Sequence, residues 1–138
     1  MIKCIIFDFF NVLYPYSDDA ILAVEAMRAC GFKLGAVSSL NMGTLKEVAD
    51  HYKIDYVFSP CATCLKKTDP LVYERYLQEY KFKGEECVMI DDIQANLVAA
   101  KKVGIQTVWL QLEDEQKNDS VDFVIKNIKD LINIKFKQ

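Results

Sequence analysis

The run Cys87-Val88-Met89-Ile90-Asp91-Asp92 sets the reading of this chain. Four apolar residues in succession, two of them β-branched, form the pattern of a buried strand. Two carboxylates then end it abruptly. Gln94–Val103 follows with the apolar spacing of a helix, closed by Gly104. A strand that ends on acids and turns directly into a helix is part of a βαβ unit.

The same order recurs on both sides. Upstream, Lys3–Phe9 contains Cys-Ile-Ile-Phe, a second buried strand, which ends at Asp8. A helix over Asp18–Cys30 is expected next, started by an aspartate-rich cap and stopped by Gly31. Lys33–Val37 reads as a strand, Thr44–Tyr52 as a helix and Tyr56–Phe58 as a short strand. Thr68-Asp69-Pro70 opens a helix that continues over Leu71–Tyr80. Downstream, Gln106–Leu110 is the fifth strand. Val121–Ile125 is a candidate short edge strand, and a final helix runs to about Ile134. Trp109 and the stripe Ile125, Ile128, Leu131, Ile132, Ile134 read as core. Strands alternating with helices give an α/β fold with a mainly parallel five-stranded sheet in three layers.

Composition is compatible with that fold. The 138 residues suit a single domain over 1–138, and 51% hydrophobic with 27% charged residues is too apolar for disorder. The net charge of −3 matches a nucleic-acid backbone poorly, so no nucleic-acid partner is expected. No apolar run approaches the ~18–20 residues of a bilayer span. The first apolar run is cut by Asp8 and is not a signal-peptide core. No membrane partner and a cytoplasmic location are therefore expected. The odd number of cysteines, five, with Cys4 and Cys87 inside strands, fits a reducing compartment.

In a parallel sheet, ligands bind beyond the carboxyl ends of the strands. There the chain places Asp8, then Ser38 and Ser39, then Lys67 in the loop after the third strand, then Asp91 and Asp92. One such aspartate alone is more often a cap or turn residue. The Ser-Ser pair could be a plain turn, and Lys67 a solvated charge. Their coincidence at successive strand tips points to one site. Three carboxylates repel unless a cation sits among them, and hard oxygen ligands suit Mg²⁺. A lysine and a serine could then hold phosphoryl oxygens. A carboxylate could attack phosphorus and form an acyl phosphate.

These residues resemble the haloacid dehalogenase (HAD) superfamily. Ile5-Ile6-Phe7-Asp8-Phe9-Phe10-Asn11-Val12-Leu13 is similar to its first motif and Val37-Ser38-Ser39 to its second. Lys67-Thr68-Asp69-Pro70 with Tyr73 resembles its lysine motif. Val88-Met89-Ile90-Asp91-Asp92 with Asn96, Ala99, Ala100 and Gly104 resembles its acidic motif. The resemblance implies a Rossmann-like core with Mg²⁺ at the strand tips. It implies Asp8 as nucleophile and metal ligand, and Lys67 as a catalytic charge neutraliser. Ser38, Ser39, Asn11 and Lys67 would bind substrate. The metal would take Asp8, Asp91, Asp92 and the Phe10 backbone carbonyl, with Asp92 coordinating more directly than Asp91. The implied substrate is a phosphorylated small molecule or macromolecule. A two-component receiver domain also gathers acids and a lysine, but with the acidic pair early and the lysine late, the reverse of this order.

Two departures stand out. The phosphatase branch usually carries a second aspartate two residues after the nucleophile, as general acid and base. Phe10 occupies that place. Loss of general acid–base help costs ~10²–10⁴ in rate. The resemblance therefore implies a phosphatase-like hydrolase of weakened activity or, in another class, a non-catalytic phosphate- or partner-binding domain that kept the metal site. The second departure is the cap. About 30 positions separate Asp8 from Ser38, and about as many separate Ser38 from Lys67. Each gap holds one helix and its flanking strand or loop, so no cap domain fits. An uncapped site invites large substrates and self-association into a homo-oligomer.

Cys61-Ala62-Thr63-Cys64 has the spacing of a redox pair or half a zinc site, and bystander thiols are the simplest reading. His51, the only histidine, lies ten residues earlier on a helix. Tyr14, Pro15 and Tyr16 follow the first motif, either flanking the site or packing on the surface.

Overall fold

A computed structural model describes all residues, 1–138. The strands are β1 (Cys4–Phe7), β2 (Lys33–Val37), β3 (Tyr56–Phe58), β4 (Cys87–Asp91), β5 (Gln106–Leu110) and β6 (Phe123–Ile125). The helices are α1 (Asp18–Ala29), α2 (Met42–Tyr52), α3 (Pro70–Tyr80) and α4 (Gln94–Lys101). The sheet order is β3-β2-β1-β4-β5-β6, and every pairing is parallel.

This order determines where a ligand can sit. The chain builds outward from β1 to β3, then returns to lay β4 beside β1 and builds the other way. The connections on the two sides of the β1–β4 boundary diverge and leave a crevice at the carboxyl ends. Asp8 follows β1 and Asp91 ends β4, so both carboxylates flank that crevice.

Strand alternation divides the core. Ile5 and Phe7 of β1 face α1 and α2, packing with Val24, Met27, Leu45 and Val48. Cys4 and Ile6 face α3 and α4, packing with Tyr73, Tyr76 and Leu97. Helices thus cover both faces, and all residues of β1, β4 and β5 are buried. That is why these strands read as continuous apolar runs without alternation.

The expected elements appear with local corrections. The sheet has six strands, because β6 joins in parallel at the edge. The cap of α1 is Ser17, whose Oγ accepts from the Ala20 N–H at 3.1 Å; Asp18 and Asp19 occupy the first turn. Asn41 caps α2, which begins at Met42, two residues ahead of the expected start. Asp69 caps α3, with Pro70 at its first position. The expected final helix is instead a 3₁₀ segment, Ile128–Asn133. Its buried residues, Ile128 and Leu131, are three apart, the repeat of a 3₁₀ turn. Ile132 lies on the solvent side, 48% exposed.

No helix is long and apolar enough to cross a membrane. Only α1 intervenes as a helix between β1 and β2, and only α2, β3 and one short 3₁₀ turn lie between β2 and α3. No cap stands at either place.

Candidate active site

Asp8, Asp91 and Asp92 meet at the β1–β4 boundary, with one carboxylate oxygen of each within 4.8 Å of the others. The Asp8 N–H donates to the Ile90 carbonyl at 2.9 Å, which extends the β1–β4 ladder and carries Asp8 to the strand tip. Lys67 arrives from the loop before α3. Its Nζ donates to Asp8 Oδ1 at 2.8 Å and to Asp91 Oδ2 at 2.9 Å, with all three residues buried. The Tyr73 hydroxyl, from the first turn of α3, donates to the Lys67 carbonyl at 2.9 Å and fixes the lysine's backbone.

The two acids of β4 have different roles. Asp91 is fully buried and its oxygens are taken. Oδ1 accepts from the Ile93 N–H at 2.9 Å, and Oδ2 accepts from both Lys67 and Asn96 Nδ2, the latter at 3.1 Å. Asp92 lies at the cleft surface, where its only side-chain donor is Asn11 Nδ2 at 3.3 Å. The Trp109 indole N–H donates to the Asp92 carbonyl at 3.1 Å and pins this turn from β5. Trp109 is therefore core, as read, and also a support of the site.

Electrostatics follow from one ammonium facing several carboxylates. Burial, then the charge of Asp91, pushes the Asp8 carboxyl up to about 8 against the opposing pull of Lys67. Burial disfavours the Lys67 ammonium, but Asp91 and Asp8 outweigh it and hold its pKa above the ordinary value. Burial and Asp91 likewise raise Asp92. The cluster has more negative charge than Lys67 can balance, the condition in which a divalent cation binds best.

The turn after β1 presents further ligands. The Phe9 carbonyl accepts from the N–H groups of Val12, Leu13 and Tyr14, which curls the chain tightly. Asn11 takes a positive φ of 67°, tolerable for Asn and rare for larger residues. The curl leaves the Phe10 carbonyl with no donor in the protein. The donor set of Asp8, Asp91 and Asp92 is all oxygen and fits Mg²⁺.

A cleft of about 490 Å³ opens above these groups, lined by Asp8, Asn11, Ser38, Ser39, Lys67 and Asp92 on its polar side. Asp8, Asn11, Ser38, Ser39, Lys67 and Asp92 are therefore brought together, with Asp91 just beneath. Ser38 is buried, and its Oγ accepts from the Leu40 N–H at 3.3 Å, so its proton is free for a ligand. The Phe10 ring also lines the cleft, 52% exposed, with Leu40 and Ile93. These last two escaped the sequence reading because a lone apolar residue in a turn has no signature.

Other candidates fall outside. Tyr16 packs its ring 3.9 Å from that of His51 and donates to Glu47 at 3.2 Å, which ties the loop to α2 rather than to the cleft. Cys61 and Cys64 are free and exposed on the 3₁₀ turn Pro60–Thr63 and its cap. Cys61 Sγ donates to the Ser39 carbonyl at 3.5 Å.

This is the class of doubly wound α/β proteins with an acid–lysine site at the switch point. A family model for haloacid dehalogenase-like hydrolases matches residues 15–104. The chain belongs to that family. The match begins after Asp8, so the first strand tip rests on the geometry above. A solved HAD phosphatase from Thermococcus onnurineus superposes with a TM-score of 0.75 at 22% identity, over 86% of this chain and 57% of that one. A HAD family hydrolase from Streptomyces avermitilis does so with a TM-score of 0.74 at 13% identity, over 94% and 82%. Glyceraldehyde 3-phosphate phosphatase of Pyrococcus furiosus is 28% identical over 76 residues, 51% of this chain and 32% of its own. Mouse acyl-CoA dehydrogenase family member 10 is 27% identical over 89 residues, 62% of this chain and 8% of its own. The chain thus spans a third or less of the curated relatives it matches.

Proposed function

We propose that this chain is a Mg²⁺-dependent, phosphatase-like hydrolase that carries the phosphoryl group on Asp8. The observation that carries this reading is Lys67 bridging Asp8 and Asp91 beneath a cleft edged by Ser38 and Ser39. Asp8, Asp92 and the Phe10 carbonyl, backed by Asp91, would hold the ion. When bound, Mg²⁺ supplies positive charge against the carboxylates and the substrate's phosphoryl oxygens.

The chain's own groups do the rest. Lys67 holds Asp8 Oδ1, which orients the carboxylate and leaves Oδ2, to which no donor is directed, free to attack phosphorus. Ser38 and Ser39 donate to phosphoryl oxygens, and Asn11 steadies Asp92. Water then cleaves the aspartyl-phosphate and returns Asp8. The phosphatase among the curated relatives supports a phosphate ester as substrate, of a small molecule or a macromolecule.

Phe10 supports a second reading, a phosphate- or partner-binding domain without turnover, because its ring donates no proton. Phosphate release from acyl and aryl phosphates, with Mg²⁺ or chelator, tests the first reading. Turnover abolished by chelator and by Asp8→Asn, with acid-stable phosphate trapped on Asp8, is expected. No turnover on any ester, with phosphate binding retained, would leave the second.

A further inference from the structure

The side chains at the mouth of the cleft differ in kind from those at its floor. Phe10 and Ile93 are each 52% exposed, and both line the cleft together with Leu40. Leu112, also 52% exposed, adjoins them in a depression shared with Asn11, Asp92 and Ile93. Each sits just past the carboxyl end of a different strand: Phe10 after β1, Leu40 after β2, Ile93 after β4 and Leu112 after β5. Three large apolar side chains left in water, Phe10, Ile93 and Leu112, with Leu40 beside them half-buried against the core, form a collar around one charged floor, and grouped exposure of this kind marks a binding surface. No lid segment lies over it.

The cleft also lacks a proton donor for a leaving group. In the reading above, its carboxylates serve as nucleophile and cation ligands. Lys67 is held by two of them. The remaining polar lining groups, Asn11, Ser38, Ser39 and Asn96, do not ionise near neutrality. The single histidine is stacked on Tyr16 and does not line the cleft. An ester whose oxygen must be protonated to leave would therefore react poorly. A phenol ionises at about 10, far below water, a guide to alkanols.

We propose that the site is specific for aryl phosphate monoesters, whose ring rests on the collar of Phe10, Leu40 and Ile93 while the aryloxide departs unprotonated. This rests on the phosphoryl-transfer reading above. Asp8 Oδ2 forms a bond to phosphorus as the bond from phosphorus to the aryl oxygen breaks. The bonding pair leaves on the aryloxide, which takes a proton from solvent. Water then attacks the aspartyl-phosphate, freeing inorganic phosphate and the Asp8 carboxylate, and its proton passes to phosphate or solvent. Free aryl phosphates and phosphotyrosine in a protein share this chemistry, and an uncapped cleft admits both. In place of the missing acid, Phe10 supplies a ring for the leaving group to stack on, worth about 2- to 10-fold in affinity for an aromatic pair.

The test is kcat/KM, with Mg²⁺, across substituted phenyl phosphates, an alkyl phosphate such as glycerol 2-phosphate, and a phosphotyrosine peptide. The rate is expected to fall as the leaving group becomes more basic, with the alkyl ester at least ~10²-fold below phenyl phosphate. Phe10→Ala should raise KM for the aryl esters about 2- to 10-fold while inhibition by inorganic phosphate stays unchanged. Phe10→Asp should raise the alkyl rate more than the aryl rate. The peptide or the free ester, whichever is preferred, identifies the source of the ring. Equal rates on alkyl and aryl esters, abolished by Asp8→Asn, would overturn the aryl assignment and leave the phosphoryl-transfer reading standing. Turnover unaffected by Asp8→Asn would overturn both.

Discussion

Asp8→Asn is expected to make the metal-free protein more stable while it destroys the site. Asp8 is buried with Asp91 beside it and only Lys67 to compensate, which pushes its carboxyl up to about 8. In the unfolded chain the same group titrates near 3.9. The folded state therefore holds a proton that the unfolded state has lost between about pH 4 and 8. Folding stability from this residue falls as pH rises through that window. At about 1.4 kcal/mol per pKa unit, the penalty on wild type approaches roughly 5 kcal/mol at pH 8 and is only about 1–2 kcal/mol at pH 5. Asparagine is neutral at both pH values and still offers an oxygen to Lys67. For a chain of this length, 1 kcal/mol moves Tm by about 3 °C. Melting of both proteins in chelator at pH 5 and pH 8 is the assay, and the variant should exceed wild type by a margin that widens with pH. Asp91, Asp92 and Lys67, the other charged groups facing residue 8, are common to both proteins and partly cancel. A variant less stable than wild type at pH 8, or a margin that does not change with pH, would refute the argument.

Mg²⁺ in 100-fold excess over its dissociation constant should stabilise wild type by ~2.7 kcal/mol, and Asp92→Ala should remove most of that shift; equal melting with Mg²⁺ and chelator in wild type would remove the cation site. Gly35→Ala should destabilise severely, because a Cβ there would lie 1.9 Å from the Tyr76 hydroxyl and 3.0 Å from the Tyr56 carbonyl. Tyr76→Phe in the same chain should recover part of the loss, and urea melts of the single and double variants decide it. If Cys61 and Cys64 act as a redox pair rather than as bystander thiols, mild peroxide joins them in an intrachain disulfide, with peroxide reduced to water, and weakens phosphate binding through the contact of Cys61 with Ser39. Intact and peptide mass spectra that show the two thiols modified independently would refute the pairing.

The alternation of apolar runs and helical stripes was enough to place β1 to β5 and α1 to α4, because a strand buried on both faces must be apolar throughout. The order of Asp8, Ser38, Lys67 and Asp91–Asp92 was enough to gather the site, because parallel strands put all their carboxyl ends on one edge. Local sequence also marked the start of α3 at Asp69-Pro70. What it left open depends on distant partners. The resemblance implied Asp92 as the more direct ligand, but the physical reason lies in Lys67, Asn96 and Asn11, which are 24, 5 and 81 positions away from their respective carboxylates. Whether Val121–Ile125 adds to the sheet depends on the free edge of β5, and whether the last apolar stripe winds as an α or a 3₁₀ helix depends on the surface of α1 it packs against. The apolar collar is the clearest case. Phe10, Leu40, Ile93 and Leu112 are single residues in four separate turns, and only the convergence of four strand ends makes them one surface.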